Sequence, residues 1–355
     1  MAAKKTTKRR PGRTGQVRQD PVMADVAERA GVSVMTVSRV LSGTAPVSEV
    51  TRQRVEAAIA ELGYRANVAA RTLAGGRSRV LGAIGVETAF YGPSQTLFGI
   101  EAAARDAGHL LSFVTLRDPD IHGLRAALDQ LHDAHIEGLI VLAPIRSAID
   151  AIATLQPDLP LVVDSAAAVS MSSVSIDQKK GARLATGHLL DAGHATVHHV
   201  GGPADWIDGD ARARGWKAEL KRRGCPRGRS LTGDWSPQSG YEAGRVLAAD
   251  PDVTAIFAAN DQMALGVLLA LHEAGRRVPE DVSVVGFDDT PEAAFFNPPL
   301  TTVRQDFREL GRLSVARVLA MLAGDEQDAP DARDAHLVIT PELVVRRSTA
   351  PQREL

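Results

Sequence analysis

The sequence predicts a two-part α/β protein, in which a helical head precedes a two-lobed body built on parallel sheets. Three observations support this prediction. Residues 20–63 hold three stretches with helical spacing of apolar residues, bounded by cap residues and glycines. From residue 79 onward, short apolar runs alternate with helical stretches, which is typical of parallel sheets covered on both faces. This second part, about 270 residues long, is large for one such layer, so two lobes are expected.

The first two helices are predicted within residues 20–41. Asp20 is expected to cap a helix whose first residue is Pro21, because proline suits a helix start and the carboxylate accepts a free amide. Gly31 allows the left-handed turn that ends this helix, and Ser33 is expected to cap the second one. Such a pair is typical of a DNA-binding helix-turn-helix, but it also occurs as a helical hairpin inside a larger core.

The second helix is predicted to present a small, partly polar face to its surroundings. Its apolar residues Val37, Val40 and Leu41 point back to the first helix. A face of this size fits the major groove of DNA. The residues left pointing outward are Val34, Met35, Thr36, Ser38 and Arg39.

A third helix and a short fourth helical segment complete the head. Ser48 is expected to cap the third helix and Gly63 to end it. Residues 67–74 then hold a cap residue and good helix formers before Gly75 and Gly76. A helix this short is marginal alone in water, so it should form only when something packs against it.

Three stretches resemble the DNA-binding head and hinge of the lactose-repressor (LacI/GalR) family, in order over residues 21–80. They are TVSRVLSG, VSEVTRQRVEAAIAELGY and NVAARTLAGGRS. The resemblance implies that Val34, Met35 and Arg39 read bases and that Leu73 wedges into the minor groove. The phosphate contacts it implies come from Ser33, Thr36, Ser38 and Asn67. The family commonly has proline before the hinge asparagine, but this chain has Ala66, so ordering its hinge should cost slightly more.

The distribution of charge agrees with a head that binds nucleic acid. Residues 1–80 contain fifteen Lys/Arg and six Asp/Glu, a net charge of +9; the whole chain is −2, which leaves −11 on residues 81–355. A basic head on an acidic body is the pattern of a protein that places one end on phosphate. The basic arm at residues 1–19 is expected to be disordered, either as a solvated tail or as a source of sequence-blind, salt-dependent affinity.

The body is predicted from its alternation of strands and helices. The predicted strands are 79–86, 110–116, 138–143, 160–165, 196–202, 254–259 and 283–288. The predicted helices include 99–107, 122–133, 178–191, 209–222 and 261–274. Ligands of open parallel sheets bind beyond the carboxyl ends of the strands, and Asp164, Asn260, Asp288 and Asp289 occupy such positions. They indicate a cleft for a polar small molecule.

The residue types at these positions suit a sugar. Carboxylates, amides and arginine bind vicinal hydroxyls, and an aromatic face covers the C–H side of a pyranose. The candidates are Asp164, Arg212, Trp235, Asn260, Asp288, Gln305 and Phe307. Other roles stay open: Asp164 and Asp288 could cap the helices that follow them, Arg212 could be a helix-surface charge, and Trp235 could simply pack in the core. Phe307 is a core or cleft-wall residue under either interpretation.

The body also resembles the regulatory domain of the same family, which has a periplasmic-binding-protein-like fold. The similar stretches are GPSQ, ARARGW, GDWS, ANDQMALG, SVVGFDDT and PPLTTVRQDF. The resemblance implies hydrogen bonds from Asp164, Arg212, Asn260 and Asp288 to sugar hydroxyls and a ring stacked on Trp235. Gln305 and Phe307 would complete the pocket, and Pro93 would lie near the sugar and the dimer interface.

The expected effector of such a protein is a galactoside-like sugar. Leu142 and Ile176 stand at pocket-side positions where we expect an amide and an aromatic residue, so a β-glucoside such as cellobiose stays open. Family members bind near-palindromic operators as dimers. The resemblance to the sugar-responsive members implies that a sugar releases the operator. Because the chain has no leucine-heptad tail after HLVITPELVVRRST, a homodimer is expected.

The predicted organisation is a basic arm (1–19), a helix-turn-helix head (20–65), a hinge helix with linker (66–78), a two-lobed sugar-binding and dimerisation domain (79–347) and a short tail (348–355). No nucleotide-binding loop, zinc-protease, nucleophile-elbow or CxxC motif is present, and adjacent Asp288 and Asp289 would point to opposite faces. An enzyme, a cofactor and a metal are therefore not expected.

A sugar-binding protein without a DNA role is the competing class. It would need an export signal, and it would not need residues 21–74. No apolar run reaches the length of a membrane span, and the single Cys225 fits a reducing compartment. We therefore expect a cytoplasmic, nucleoid-associated protein.

Overall fold

The structure, a computed structural model, separates into two compact units, Met1–Ser78 and Arg79–Leu355. Each has its own hydrophobic core. The described residues are 21–42, 46–64, 77–86, 90–116, 120–142, 145–165, 171–324 and 336–352. The predicted arm at 1–19, Asp20 and most of the predicted hinge lie outside them. No helix in these ranges is long and apolar enough to cross a membrane.

The first unit contains α1 (Met23–Ala30), α2 (Val34–Ser42) and α3 (Glu49–Leu62). Val26, Val37 and Val55 are fully buried where the three helices meet. Tyr64, which follows α3, is buried in the same core. Gly31 and Gly63 both adopt φ of +63° and end α1 and α3 as the sequence predicts. The Ser33 and Ser48 hydroxyls accept the backbone amides of Thr36 and Thr51, as expected for caps.

The predicted start of α1 is wrong by two residues. The helix begins at Met23 rather than at Pro21, and Val22 is in the cap position with extended backbone. The Asp25 carboxylate accepts the Val22 amide at 2.8 Å, so a side chain within the helix satisfies the free donor. Because Asp25 supplies the cap from the third helical position, a capping role for Asp20 is not needed.

The second unit is built from two lobes. The chain forms the first lobe with β1 (Val80–Val86), α4 (Tyr91–Asp106), β2 (Leu110–Leu116), α5 (Ile121–Asp133), β3 (Gly138–Leu142), α6 (Arg146–Leu155), β4 (Leu161–Asp164) and β5 (Ser173–Ile176). It then forms the second lobe with α7 (Gln178–Asp191), β6 (His198–Gly201), α8 (Ile207–Arg223), β7 (Ser230–Thr232), α9 (Pro237–Ala248), β8 (Ala255–Ala258), α10 (Asp261–Glu273), β9 (Ser283–Asp288), a short 3₁₀ helix (Pro291–Phe295) and β10 (Thr301–Arg304). Finally, α11 (Phe307–Ala323) and β11 (His336–Ile339) return to the first lobe, and β12 (Glu342–Val344) ends in the second.

Each lobe has one sheet with helices on both faces, which confirms the predicted fold class. The strand orders are β11-β5-β4-β3-β1-β2 and β12-β10-β9-β8-β6-β7, and the pairs are parallel except β10 with β12. Separate hydrophobic clusters cover the two faces of each sheet. Within the described ranges, the chain crosses between lobes after β5, β10 and β11. These crossings carry Gln178 and Gln305 to the boundary of the lobes.

Candidate functional site

The outer face of α2 carries apolar residues that its own fold does not bury. Val34 is 47% exposed and Met35 is 64% exposed. Val37, on the inner face of the same helix, is fully buried. The Ser33 and Thr36 hydroxyls bond each other at 2.9 Å beside this face. Of the remaining predicted contacts, Arg39 is exposed and Ser38 is half-buried. The predicted contacts Asn67 and Leu73 lie outside the described residues.

A cleft of about 750 Å³, measured out to its mouth, lies between the two lobes of the second unit. Of the eight residues predicted to bind an effector, Gln305 is not among those that line the cleft. The lining includes the other seven: Pro93, Asp164, Arg212, Trp235, Asn260, Asp288 and Phe307. The structure thus brings together residues that lie up to 214 positions apart, from Pro93 to Phe307.

Arg212 is held in place by groups from several elements and is not a helix-surface charge. The residue is 5% exposed. Its Nε donates to Gln178 Oε1 at 2.8 Å, and its Nη1 donates to the Ala259 carbonyl at 2.5 Å. The same Nη1 lies 3.7 Å from Asp288 Oδ1, and the guanidinium lies 4.2 Å from the Phe287 ring centre. This arrangement fixes a cation at the floor of the cleft.

Gln305 lies behind the cleft wall and positions Asp288. Its amide nitrogen donates to Asp288 Oδ1 at 2.7 Å, and its carbonyl accepts from the Gln178 amide at 2.7 Å. Together with Arg212, these side chains form a closed ring of polar contacts that joins two of the lobe crossings. Gln178 was not among the predicted residues; its place directly after the Asp177 cap of α7 was the only signal in the sequence.

The side chains of Asp288 and Asp289 point to opposite sides, as predicted. Both residues have an unusual backbone conformation. Their φ angles are +110° and +56°, which lie in a region that residues other than glycine rarely adopt. Asp289 pairs with Arg304 at 2.7 Å and with Arg346 at 2.6 Å, away from Arg212. Burial raises the pKa of Asp288 to about 6, although Arg212 opposes this effect. At this strained turn, the Asp288 carboxyl therefore points into the cleft, and the Asp289 carboxyl binds Arg304 of β10 and Arg346 of the C-terminal segment.

Trp235 and Asn260 form one wall. Trp235 is 5% exposed, adopts φ of +73° and contacts Trp206 edge-on at 5.5 Å. The Asn260 amide donates to the Trp235 carbonyl, and its oxygen caps α10 by accepting the Met263 amide. Trp235 belongs to the core of the second lobe and also lines the cleft, so both predicted roles are compatible. Phe307 closes the opposite side against Tyr91 at 5.9 Å.

Asp164 and Asp208 face the cleft from different lobes. Asp164 ends β4, and no hydrogen bond to its carboxyl is found among the described residues. Asp208 lies in the first turn of α8, four residues before Arg212, and was not predicted. Burial raises the pKa of Asp164 well above its ordinary value, and the nearby Asp208 adds to this effect. Burial also raises the pKa of Asp208, and Arg212 opposes it.

Asp261 is a buried carboxyl beneath the cleft, and it makes stability depend on pH. It accepts the Thr302 hydroxyl at 2.6 Å and the Thr290 amide at 2.8 Å. Burial, and then the charge of Asp288, raise its pKa to about 8. A raised carboxyl pKa stabilises the fold fully below the unfolded value of about 4, and this contribution is lost as the pH rises through the folded value.

We therefore expect the unfolding temperature of the second unit to fall between pH 7 and 9, and to fall less in Asp261→Asn. Scanning calorimetry across this range measures both slopes. Asp281→Asn is the matched control, because pairing with Arg277 lowers the pKa of Asp281 and moves its titration out of the range. Equal slopes for wild type and Asp261→Asn would contradict the assignment.

The comparisons with known proteins agree with this architecture. The family described as "Bacterial regulatory proteins, lacI family" matches residues 22–67, and a periplasmic binding protein-like domain matches residues 186–349. The lactose operon repressor of Escherichia coli (strain K12) is 36% identical over 330 residues, which cover 92% of this chain and 89% of the relative. The chain belongs to the lacI family. It is therefore a transcription regulator rather than an enzyme, and the predicted family and helix-turn-helix head are confirmed.

Solved structures of related regulators extend the likeness across both units. A crystal structure of the lac repressor dimer bound to operator and the anti-inducer ONPF has a TM-score of 0.85 and 34% identity, covering 94% of this regulator and 100% of that chain. A complex of the transcriptional regulator CelR with cellobiose has a TM-score of 0.68 and 30% identity, covering 92% of this regulator and 99% of that chain. The two relatives are described with different ligands.

Proposed function

We propose that this regulator is a repressor that binds a palindromic operator as a homodimer and is released by a small sugar. The observation that carries the proposal is the cleft, in which a fixed guanidinium, a buried carboxyl and an indole wall meet at the ends of parallel strands. Vicinal hydroxyls bind such charged groups, and the indole suits the apolar face of a pyranose. The protein would act in the cytoplasm, on the nucleoid.

The DNA contacts are proposed from the exposure of α2. Val34 and Met35 would make apolar contacts with bases, such as a thymine methyl, and Arg39 would bind guanine. Ser33, Thr36, Ser38 and Asn67 would hold phosphates, and Leu73 would enter the minor groove. In this proposal the head spans residues 20–65, the hinge 66–78 and the regulatory domain 79–347.

A galactoside is the first candidate effector, since the relative with 36% identity is a lactose operon repressor. Arg212, Asp288 and Asp164 would bind its hydroxyls, and Trp235, Phe307 and Pro93 would enclose the ring. Cellobiose is the second candidate, because Leu142 and Ile176 make part of the wall apolar and a similar regulator is described in complex with cellobiose.

Apolar residues on the second lobe support the homodimer. Leu265 and Leu269, one turn apart on α10, are 42% and 49% exposed, and Val246 on the adjacent α9 is 49% exposed. These two helices pack against each other, so the exposed apolar residues lie on neighbouring helices of the lobe. An apolar patch of this kind suits an interface between two copies of the chain.

The proposed mechanism uses the two lobes and the crossings that join them in the described part of the chain. A sugar that contacts both lobes favours one angle between them, and the hinges of a dimer would then move apart and release the operator. The shift is limited by the difference in sugar affinity between the two states. Arg212 and Asp288 belong to the second lobe and Asp164 to the first, so the sugar would bridge residues whose separation depends on this angle.

The test is a mobility shift with a palindromic operator taken from upstream of the regulator's own or a neighbouring gene. We expect tight binding without sugar and release by lactose, galactose or cellobiose. Binding that none of these sugars changes would contradict the proposed effector class and leave the DNA role intact. Failure to bind the operator in any condition would contradict the repressor role itself.

A further inference from the structure

The charges in the cleft are not balanced. Three carboxyls line it, those of Asp164, Asp208 and Asp288, whereas Arg212 is the only cationic side chain among the lining residues that the structure describes. Arg212 is already matched: it bonds Gln178 and the Ala259 carbonyl and lies beside Asp288. No cation is therefore left over for Asp164, and Asp208 shares Arg212 with Asp288.

The cleft also has hydrogen-bond acceptors that no donor among the described residues satisfies. Among the described residues, no hydrogen bond reaches the carboxyl of Asp164 or Asp208, which are both half-buried. The buried Gln262 Oε1 also lacks a partner there. Of the lining residues that the structure describes, one has an unsatisfied buried donor, the Trp235 indole nitrogen. An acceptor-rich wall of this kind fits a ligand that brings several donors.

Aromatic rings lie beside these acceptors. Trp206 precedes Asp208 by two residues and contacts Phe90 and Trp235 edge-on, with ring centres 5.5 Å apart in both cases. All three rings line the cavity. Aromatic walls next to carboxylates are a common arrangement for binding an ammonium group, because the ring faces attract cations.

A neutral sugar would leave this arrangement with an energetic cost. Two carboxylates in one cavity repel each other, and burying them without a cation favours their protonation. Burial indeed raises the pKa of both Asp164 and Asp208. An ammonium group would supply up to three donors and one positive charge between the two carboxylates, which removes the cost.

We propose that the effector is an amino sugar, whose ammonium group lies between Asp164 of the first lobe and Asp208 of the second. The inference rests on the proposed function, since it takes the cleft to be a sugar site. It adds the charge of the ligand, and it makes the ion pair a contact that bridges both lobes. The hydroxyls of the same sugar would remain with Arg212 and Asp288.

Calorimetric titration of the full-length regulator with galactosamine, glucosamine, galactose and glucose tests the proposal. Each amino sugar should bind about 10- to 100-fold more tightly than its neutral counterpart, the usual value of a charged hydrogen-bonded contact. N-acetylgalactosamine, which has lost the charge, should behave like a neutral sugar. Operator release, measured in parallel, should follow the same order.

Asp208→Asn should remove most of the preference for amino sugars over neutral sugars, because it leaves the cavity with one carboxylate fewer. Asp210→Asn is the matched control on the same helix; Asp210 pairs with Arg214 and does not line the cleft, so the preference should stay. Neutral sugars that bind and release the operator as well as amino sugars do would overturn this inference and leave the proposed function standing. If no sugar of either class binds or releases the operator, the proposed function fails as well.

Discussion

Replacing Arg212 with methionine is expected to give a repressor that sugar no longer releases. The guanidinium is the only described cation in the cleft wall, and methionine keeps much of its apolar stem without any donor. Loss of a buried charged partner costs about 2–5 kcal/mol, which weakens sugar binding by at least about 30-fold. Titration calorimetry measures the affinity, and operator release against sugar concentration measures the response.

Stability has to be separated from binding in this experiment, because Arg212 also neutralises Asp288. Arg212→Met alone should destabilise the second unit by up to about 3–5 kcal/mol, since it leaves a buried carboxyl without its cation. Adding Asp288→Asn should restore part of the unfolding temperature without restoring the sugar response. Arg214→Met, on the same helix but paired with Asp210 at the surface, serves as the control. If the Arg212→Met variant released the operator at the same sugar concentration as the wild type, the role assigned to the guanidinium would be refuted.

Strongly apolar runs made most of the sheets predictable. The seven predicted strands correspond to β1, β2, β3, β4, β6, β8 and β9. Among the strands outside this set, β5, β7 and β10 are three or four residues long and rich in serine or threonine. Sequence patterns do not distinguish such segments from loops, because their strand conformation depends on hydrogen bonds to neighbours far along the chain.

The helix start at Met23 illustrates a limit of local rules. Asp20 before Pro21 satisfied the usual pattern of a helix start, but Asp25 satisfied the same free amide from within the helix. Two local signals competed, and the sequence alone did not rank them. At Ser33 and Ser48 one cap was available, and the predictions were confirmed.

The composition of the cleft was predictable because residues at the carboxyl ends of parallel strands gather at one edge. This rule placed Asp164, Asn260 and Asp288 together. It gave no information on Gln178 and Gln305, whose contacts depend on where the chain crosses between lobes. Asp208 could have been found from its spacing to Arg212, since residues four apart on a helix lie on the same side.

Replacing Arg39 with alanine is expected to weaken operator binding by about 10- to 100-fold for each half-site, because a bidentate arginine–guanine contact contributes about 1–3 kcal/mol. A homodimer on a palindrome loses this contribution twice, which makes the change the largest expected on the DNA side. Arg39 is exposed near the end of α2, on the helix that also exposes Val34 and Met35. Mobility shifts with the operator and with unrelated DNA, at several salt concentrations, measure the effect.

The comparison between the two DNAs decides what Arg39 does. If Arg39 reads a base, Arg39→Ala weakens binding to the operator but not to unrelated DNA. Replacing the contacted guanine should then weaken the binding of the wild-type protein by the same amount. Arg29→Ala is the control, because Arg29 is also exposed and pairs with Glu61 at 2.6 Å on the surface of the head. A loss shared equally by the operator and unrelated DNA, with a shallower salt dependence, would mean that Arg39 contacts phosphate instead. The recognition of sequence by α2 would then depend on Val34 and Met35 alone.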